Sequence, residues 1–157
     1  MPKQSRLLVV LTDGEHARMV RPGQDNVLRT VQLFDSTSAH ERSSDLGSDH
    51  PGASFHSKAT VHHAIAPRHD LHMLEKEKFS RFVAQQLNEM ADDRAFDTLV
   101  IVAPADSLNT LRDALNPATH EKIAGILHKD LVKVPDNALR PHLQAWLPPA
   151  HPVRKGG

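Results

Sequence analysis

The sequence has no cysteine, and this absence excludes several kinds of chemistry. Without thiols, the chain can have neither a disulfide framework, nor a cysteine nucleophile, nor a thiolate metal site. Aromatic residues are also scarce, since the 157 residues include no tyrosine and one tryptophan. The aromatic platforms on which many single-strand-binding proteins stack bases are therefore not expected.

Net charge and long apolar runs are missing as well. Lys plus Arg equals Asp plus Glu at 19 each, so no overall field attracts DNA, RNA or an anionic membrane, although a local basic patch can still exist. The first apolar run, residues 7–11, is too short to cross a bilayer or to form the core of a secretory signal. We therefore expect a cytoplasmic protein without a membrane partner.

Hydrophobic periodicity divides the chain into a strand region and a later helix-rich region. Three segments separated by turn residues, 6–11, 16–21 and 27–34, are either continuously apolar or alternate between two faces. This pattern predicts three antiparallel strands. In the third of these strands, simple alternation places Leu28 and Phe34 on one face. From residue 70 the apolar residues recur with the period of a helix, which predicts a helix to about residue 91. The next predicted elements are a strand at 98–102, a helix ended by Asn116-Pro117 and a strand within 123–128. A final helix should begin at Pro135, and Pro141 should delay or bend it.

This order of elements predicts one α/β domain over residues 1–157. Right-handed crossovers place the fourth and fifth strands parallel to the first, which gives a mixed five-stranded sheet in the order 3-2-1-4-5 with helices packed on it. This is the topology of the ribonuclease H-like architecture. Residues 150–157 should form a mobile tail.

A polar segment, residues 35–68, separates the two regions and is the first candidate binding site. It is rich in Ser, His, Asp and Gly, and loops of this length are usually functional or disordered. We expect partial order, with Arg42, Asp45 and Asp49 in a local salt-bridged turn. Ser48 is a further candidate binding residue of this segment. Arg42 could grip a phosphate while the acids fix the loop or hold a hard cation, or the group could be a surface ion-pair cluster only.

Two further candidates follow strands. Asp13 lies just after the first strand, where ribonuclease H enzymes place a metal-binding carboxylate, and Glu75, Glu77 or Asp106 would have to complete a two-metal site. The alternative is that Asp13-Gly14 forms a hairpin turn. Lys129 and Asp130 follow the last strand, at the edge where open α/β sheets bind ligands, although a surface ion pair is the simpler interpretation.

Histidine is unusually frequent, with 12 residues in the chain. Half of them fall between His50 and His72, but their spacing reproduces no known set of metal ligands. No Walker A motif, dinucleotide fingerprint or nucleophile elbow is present either. We therefore expect no bound metal or cofactor.

Several short motifs, taken in order, resemble one family. They are Leu-Thr-Asp-Gly-Glu-His-Ala-Arg at 11–18, Glu-Arg-Ser-Ser-Asp-Leu-Gly-Ser-Asp-His-Pro-Gly at 41–52, Phe-Ser-Arg-Phe-Val-Ala at 79–84, Leu-Val-Ile-Val-Ala-Pro at 99–104, Leu-Asn-Thr-Leu-Arg at 108–112 and Lys-Asp-Leu at 129–131. Together they resemble the bacterial proteins required for attachment to host cells. That family is similar to the middle domain of eukaryotic peptide release factors and Pelota. Their Gly-Gly-Gln tip does not occur here, so the resemblance does not imply peptidyl-tRNA hydrolysis.

Two hypotheses about function follow. The first is a non-enzymatic, release-factor-like module that binds the ribosome, RNA or a protein partner. The second is a metal-dependent nuclease, or another phosphoryl-transfer enzyme, that uses Asp13. The missing pattern of accompanying carboxylates favours the first.

Overall fold

The computed structural model describes residues 6–37 and 68–147. The strands are β1 (Leu7–Thr12), β2 (His16–Pro22), β3 (Leu28–Asp35), β4 (Thr98–Val102) and β5 (Ile123–Leu127). The helices are α1 (Arg68–Asp92), α2 (Ala105–Ala114), α3 (Pro117–His120) and α4 (Arg140–Leu143), with 3-10 turns at Asp136–Ala138 and Gln144–Trp146. None of the helices in these ranges combines the length and apolar character needed to span a membrane.

The five strands form one mixed sheet in the order β3-β2-β1-β4-β5, which confirms the predicted topology. β1 pairs antiparallel with β2 and parallel with β4, with Val9 opposite Val20 on one side and Val100 on the other. Both central strands are continuous apolar runs because both of their faces are buried. The parallel strands β1, β4 and β5 end at one edge of the sheet, which we call the carboxyl edge.

Two hydrophobic cores lie on opposite faces of this sheet. On one face, α1 and α2 pack through residues such as Phe79, Leu87 and Leu111. On the other face, the cover is the segment 131–147, which contributes Leu139 and Leu143. We call this the C-terminal segment. Its backbone is a series of short turns and not a continuous helix, and the site described below lies beside it.

β3 departs from simple alternation. Met19 pairs with Gln32 and Val20 pairs with Thr30, so Val31 is the extra residue of a β-bulge. As a result, Leu28 belongs to the core under the C-terminal segment, whereas Phe34 belongs to the core under α1. The prediction that Leu28 and Phe34 share one face was therefore wrong, because one inserted residue reverses every side chain beyond it.

The predicted final helix is not continuous. A 3-10 turn at Asp136–Ala138, the four-residue α4 and a second 3-10 turn replace it. Pro141 has no N–H to donate and stands in the first turn of α4, where a missing donor is tolerated. The apolar residues predicted for this helix still reach the core, since Leu139 and Leu143 are fully buried.

Candidate functional site

Asp13 is built into the β1–β2 turn. Its Oδ1 accepts backbone N–H groups from Glu15 at 2.8 Å and His16 at 2.7 Å. Its Oδ2 lies 3.4 Å from Nδ1 of His16. Gly14 adopts a φ of 96°, which an L side chain rarely tolerates, and this explains the glycine at that position.

These bonds also set the charge of Asp13. Burial alone would raise the pKa of this carboxyl group, but the donors from Glu15 and His16 outweigh it and hold the pKa below its ordinary value. Asp13 is therefore an ionised carboxylate whose oxygens already have partners within the turn. This geometry is that of a turn-forming residue.

The other carboxylates of the nuclease hypothesis do not form a metal-binding cluster with Asp13. Glu75 contacts Lys78 and Glu77 contacts Arg81, along α1. Asp106, at the start of α2, accepts the Ser107 N–H at 2.8 Å. Within residues 6–37 and 68–147, no three His, Asp or Glu side chains are grouped to hold a metal ion.

A small cavity of about 60 Å³ does lie between α1 and α2, next to the carboxyl edge. Its polar lining includes Lys76, Ser80, Asp106 and Ser107, and the Ser80 hydroxyl is buried without a partner among the described residues. Glu77 also lines it, so two carboxylates face one lysine. Because these charges favour neither an anion nor a simple cation, we do not assign this cavity a ligand.

The remaining predicted residues divide into two groups. Lys129 and Asp130 are exposed after β5, and no ion pair joins them in the part of the chain that the structure describes. Arg42, Asp45, Ser48 and Asp49 lie outside the described residues, as do the predicted salt-bridged turn and the tail 150–157. Their roles stay predictions.

A larger cleft lies where the C-terminal segment leaves the sheet uncovered. Its volume is about 320 Å³, close to the lower end of the range for ligand pockets. We call it the β2–β3 cleft. It is lined by His16, Ala17, Arg18, Leu33, Phe34, Asp35, Val132 and Lys133.

Arg18 is the central polar residue of this cleft. It is 8% exposed, and its guanidinium donates to the carbonyl of Val132 at 2.6 Å and to Oδ1 of Asp136 at 3.2 Å. The Nε atom is buried and has no hydrogen-bond partner among the described residues. A buried donor without a partner carries a desolvation cost, and such atoms often mark a functional position.

Asp136 connects this arginine to the free edge of β3. Its carboxylate accepts the Thr30 N–H at 2.9 Å and the Thr30 hydroxyl at 2.6 Å. Burial raises the pKa of Asp136, but the Thr30 donors and the Arg18 guanidinium outweigh burial, so the pKa lies below its ordinary value. The edge of β3 is therefore closed at Thr30 by a side chain of the C-terminal segment.

Beyond Thr30, the outer half of β3 carries exposed apolar residues. Val31 is 53% exposed and Leu33 is 70% exposed. In the described part of the chain, β2 is the one strand that pairs with β3. Leu33 stands directly opposite Arg18, so the exposed leucine and the partly unsatisfied arginine are adjacent on one face.

Sequence reasoning did not single out Arg18 or Leu33 as site residues. Arg18 stands within a motif that carries the family resemblance, but its partners Val132 and Asp136 lie more than a hundred residues away. Leu33 was assigned to a strand, and only the bulge and the limits of the C-terminal segment decide that it is exposed. The feature of the sequence that could have pointed to Arg18 is its place between apolar residues in β2.

The family model described as "Protein required for attachment to host cells" matches residues 8–143, from β1 to the end of α4. Among curated proteins, none matches the chain. Because the matched region covers the whole described sheet and most of the sequence, the chain belongs to the family of proteins required for attachment to host cells.

Proposed function

We propose that the chain is a non-enzymatic protein-binding module that holds an extended segment of a partner protein along the outer half of β3, residues 31–35. The observation that carries this proposal is the exposure of Val31 and Leu33 on an edge strand. Edge strands pair readily with added strands, and natural proteins usually protect them with charges, proline or a covering element. Here, a side chain of the C-terminal segment, Asp136, binds the edge at Thr30, and the other half of the strand exposes Val31 and Leu33 before it ends at Asp35.

Strand addition is a common mode of peptide recognition. The backbone of the edge supplies hydrogen bonds that any extended segment can use, and pockets beside the edge select its side chains. The β2–β3 cleft provides such a pocket, since Leu33 belongs to both the edge and the cleft lining. A role in attachment fits a module that binds another protein.

Two other functions are less well supported by the same residues. A release-factor-like contact with RNA or the ribosome would use cations, but Arg18 is already paired with Asp136, and Leu33, which stands directly opposite it, is an exposed apolar residue. The nuclease depends on Asp13, whose carboxylate accepts two backbone N–H groups within its turn. We therefore place a protein partner first.

The test is a peptide selection against the immobilised chain, followed by NMR titration of the selected peptides into isotope-labelled protein. We expect the largest amide shifts at residues 31–35. The variant Leu33→Lys should weaken binding by about tenfold or more, because it removes an apolar contact and places a charge on the strand.

Val27→Thr is the matched control, since Val27 is also an exposed apolar residue but lies outside residues 31–35. It should bind the selected peptides as the unmodified chain does. Equal binding by Leu33→Lys, or shifts confined to other surfaces, would refute the proposal. So would poly-uridine binding at residues 31–35 when no peptide binds there.

A further inference from the structure

We infer that the partner segment pairs antiparallel with β3 through the backbone of Leu33, and that one apolar residue of the partner lies directly opposite this leucine. This inference rests on the proposed function and specifies the partner. The recognised segment is an extended one that offers a free backbone N–H and an apolar side chain at the same position.

The first support is the direction in which the backbone groups of Leu33 point. The Ser36 N–H donates to the Glu15 carbonyl at 3.0 Å, so residue 36 bonds on the β2 side. The backbone groups of successive strand residues point alternately to the two sides, which turns Phe34 toward β2 and Leu33 away from it. Among the described residues, none bonds to the Leu33 N–H. Leu33 therefore presents one donor and one acceptor at the open edge of β3.

The second support is the limit that Thr30 and the bulge place on the paired stretch. The Thr30 N–H also points away from β2, and Asp136 already accepts it at 2.9 Å. The extra residue Val31 places the outward positions Thr30 and Leu33 three residues apart, whereas those of a regular strand repeat every two. A regular added strand therefore cannot bond to both positions, and its contact is centred on Leu33.

The third support is the side chain of Leu33. At 70%, it is the most exposed large apolar side chain in the described part of the chain. Directly opposite residues of an antiparallel pair have their side chains on the same face, so an apolar partner residue opposite Leu33 would remove this leucine from water. Antiparallel pairing also lets one partner residue exchange both N–H···O bonds with Leu33, which a parallel strand cannot do.

The experiment uses the tightest-binding peptide from the peptide selection, synthesised with blocked ends. One set of variants carries an N-methyl group on one residue at a time, and a second set replaces one residue at a time by alanine. N-methylation should weaken binding by about tenfold or more at the residue opposite Leu33 and by less than about threefold at its two neighbours, whose N–H groups point away from β3. Alanine replacement should weaken binding most at that same residue. Fluorescence anisotropy of the labelled peptides measures both effects.

Amide hydrogen exchange of the chain tests the same contact from the other side. With saturating peptide, the Leu33 amide should exchange at least about tenfold more slowly than in the free chain. The Gln32 amide is the matched control, because Gln32 pairs with Met19 and its N–H already faces β2. Its exchange should change little.

Two substitutions of Leu33 separate its backbone from its side chain. Leu33→Pro lacks the N–H, and an edge strand tolerates proline where the missing N–H would face outward. This variant should bind the peptide at least about tenfold more weakly than Leu33→Val, which keeps both the N–H and an apolar side chain. Circular dichroism checks the folding of Leu33→Pro, and amide exchange of the unmodified chain gives the answer on its own if that variant unfolds.

The outcomes separate this inference from the proposed function. If the peptide binds at residues 31–35 but N-methylation is tolerated at every position, the module stands and the backbone pairing is wrong. If N-methylation is most harmful at the two neighbours of the alanine-sensitive residue, the added strand is parallel and the inference is wrong. If the selection gives no peptide that binds at residues 31–35, both are overturned. Sedimentation velocity showing a dimer that Leu33→Lys dissociates would also overturn both, because β3 would then pair with a second copy of the chain.

Discussion

Asp136 is the single residue that joins the most distant parts of the site. Its carboxylate contacts Thr30 of β3 and Arg18 of β2, while its own position belongs to the C-terminal segment. It therefore fixes the C-terminal segment to the sheet at the point where the cleft begins. Removing its charge should affect stability more than removing that of an exposed carboxylate without a partner.

We predict that Asp136→Asn destabilises the chain by about 1–2 kcal/mol at pH 7. This figure starts from the usual contribution of hydrogen bonds to a charged group. It is reduced because the Asp136 side chain is 38% exposed, and solvent weakens the interaction. An Asn amide nitrogen also cannot accept the Thr30 N–H. Urea unfolding measures the loss, with Asp130→Asn, an exposed carboxylate, as the control that should change little.

The stability difference between the unmodified chain and Asp136→Asn should also depend on pH, because Asp136 titrates. Because the folded pKa of Asp136 is depressed, its contribution is fully present above the unfolded value of about 4 and is lost as pH falls through the folded pKa. The stability difference between the two proteins should therefore shrink below about pH 4. A difference that stays constant down to pH 3 would show that the charge of Asp136 does not stabilise the fold.

At the scale of elements, β5 depends on its contact with the last 3-10 turn. A Cβ built on Gly125 would overlap the indole of Trp146, so the absence of a side chain lets the turn Gln144–Trp146 pack directly on the strand. Glycine in a strand often marks such a close approach. This contact holds one end of the C-terminal segment, as Asp136 holds the other.

We predict that Gly125→Ala destabilises the chain by about 1–3 kcal/mol, as overpacking usually does, and displaces the indole. Trp146 is the one tryptophan of the sequence, so its fluorescence reports this displacement directly. Ala124→Ser, on the exposed neighbouring residue, is the control. Unchanged fluorescence and stability in Gly125→Ala would contradict the packing.

The same elements show what sequence can and cannot predict. The strands were predictable because β1 and β4 are continuous apolar runs and β2 alternates. The bulge at Val31 was not, because an extra residue leaves no local mark in a strand that already mixes polar and apolar residues. Arg18 could be noticed in its motif, but its role depends on Val132 and Asp136, whose approach to β2 is set by tertiary packing.

At the scale of the whole molecule, one sheet supports two cores with different covers. Long α1 and the ten-residue α2 cover one face, and short irregular turns cover the other. Both cores share β1 and β4, whose side chains alternate between them. Loss of packing on either face should therefore weaken the same central strands.

We predict that Leu143→Ala and Leu87→Ala, one in each core, each cost about 2–5 kcal/mol and that each variant unfolds in a single transition. Urea unfolding followed by far-ultraviolet circular dichroism and by Trp146 fluorescence tests this, since the two signals should coincide. A separate early fluorescence transition in Leu143→Ala would show that the C-terminal segment detaches from an intact sheet.

The bulge in β3 also limits how this strand can change in evolution. Because Val31 reverses the facing of the residues on either side of it, β3 contributes Leu28 to one core and Phe34 to the other. Deletion of Val31 would remove the bulge and leave the other residues on their present faces, because Val20 and Met19 already pair with Thr30 and Gln32. Deletion of one residue away from the bulge would instead exchange inner and outer positions along one half of the strand. A one-residue deletion in β3 is therefore expected to be tolerated best at Val31, and an alignment of relatives that places such a gap elsewhere in the strand would compare surface residues with core residues.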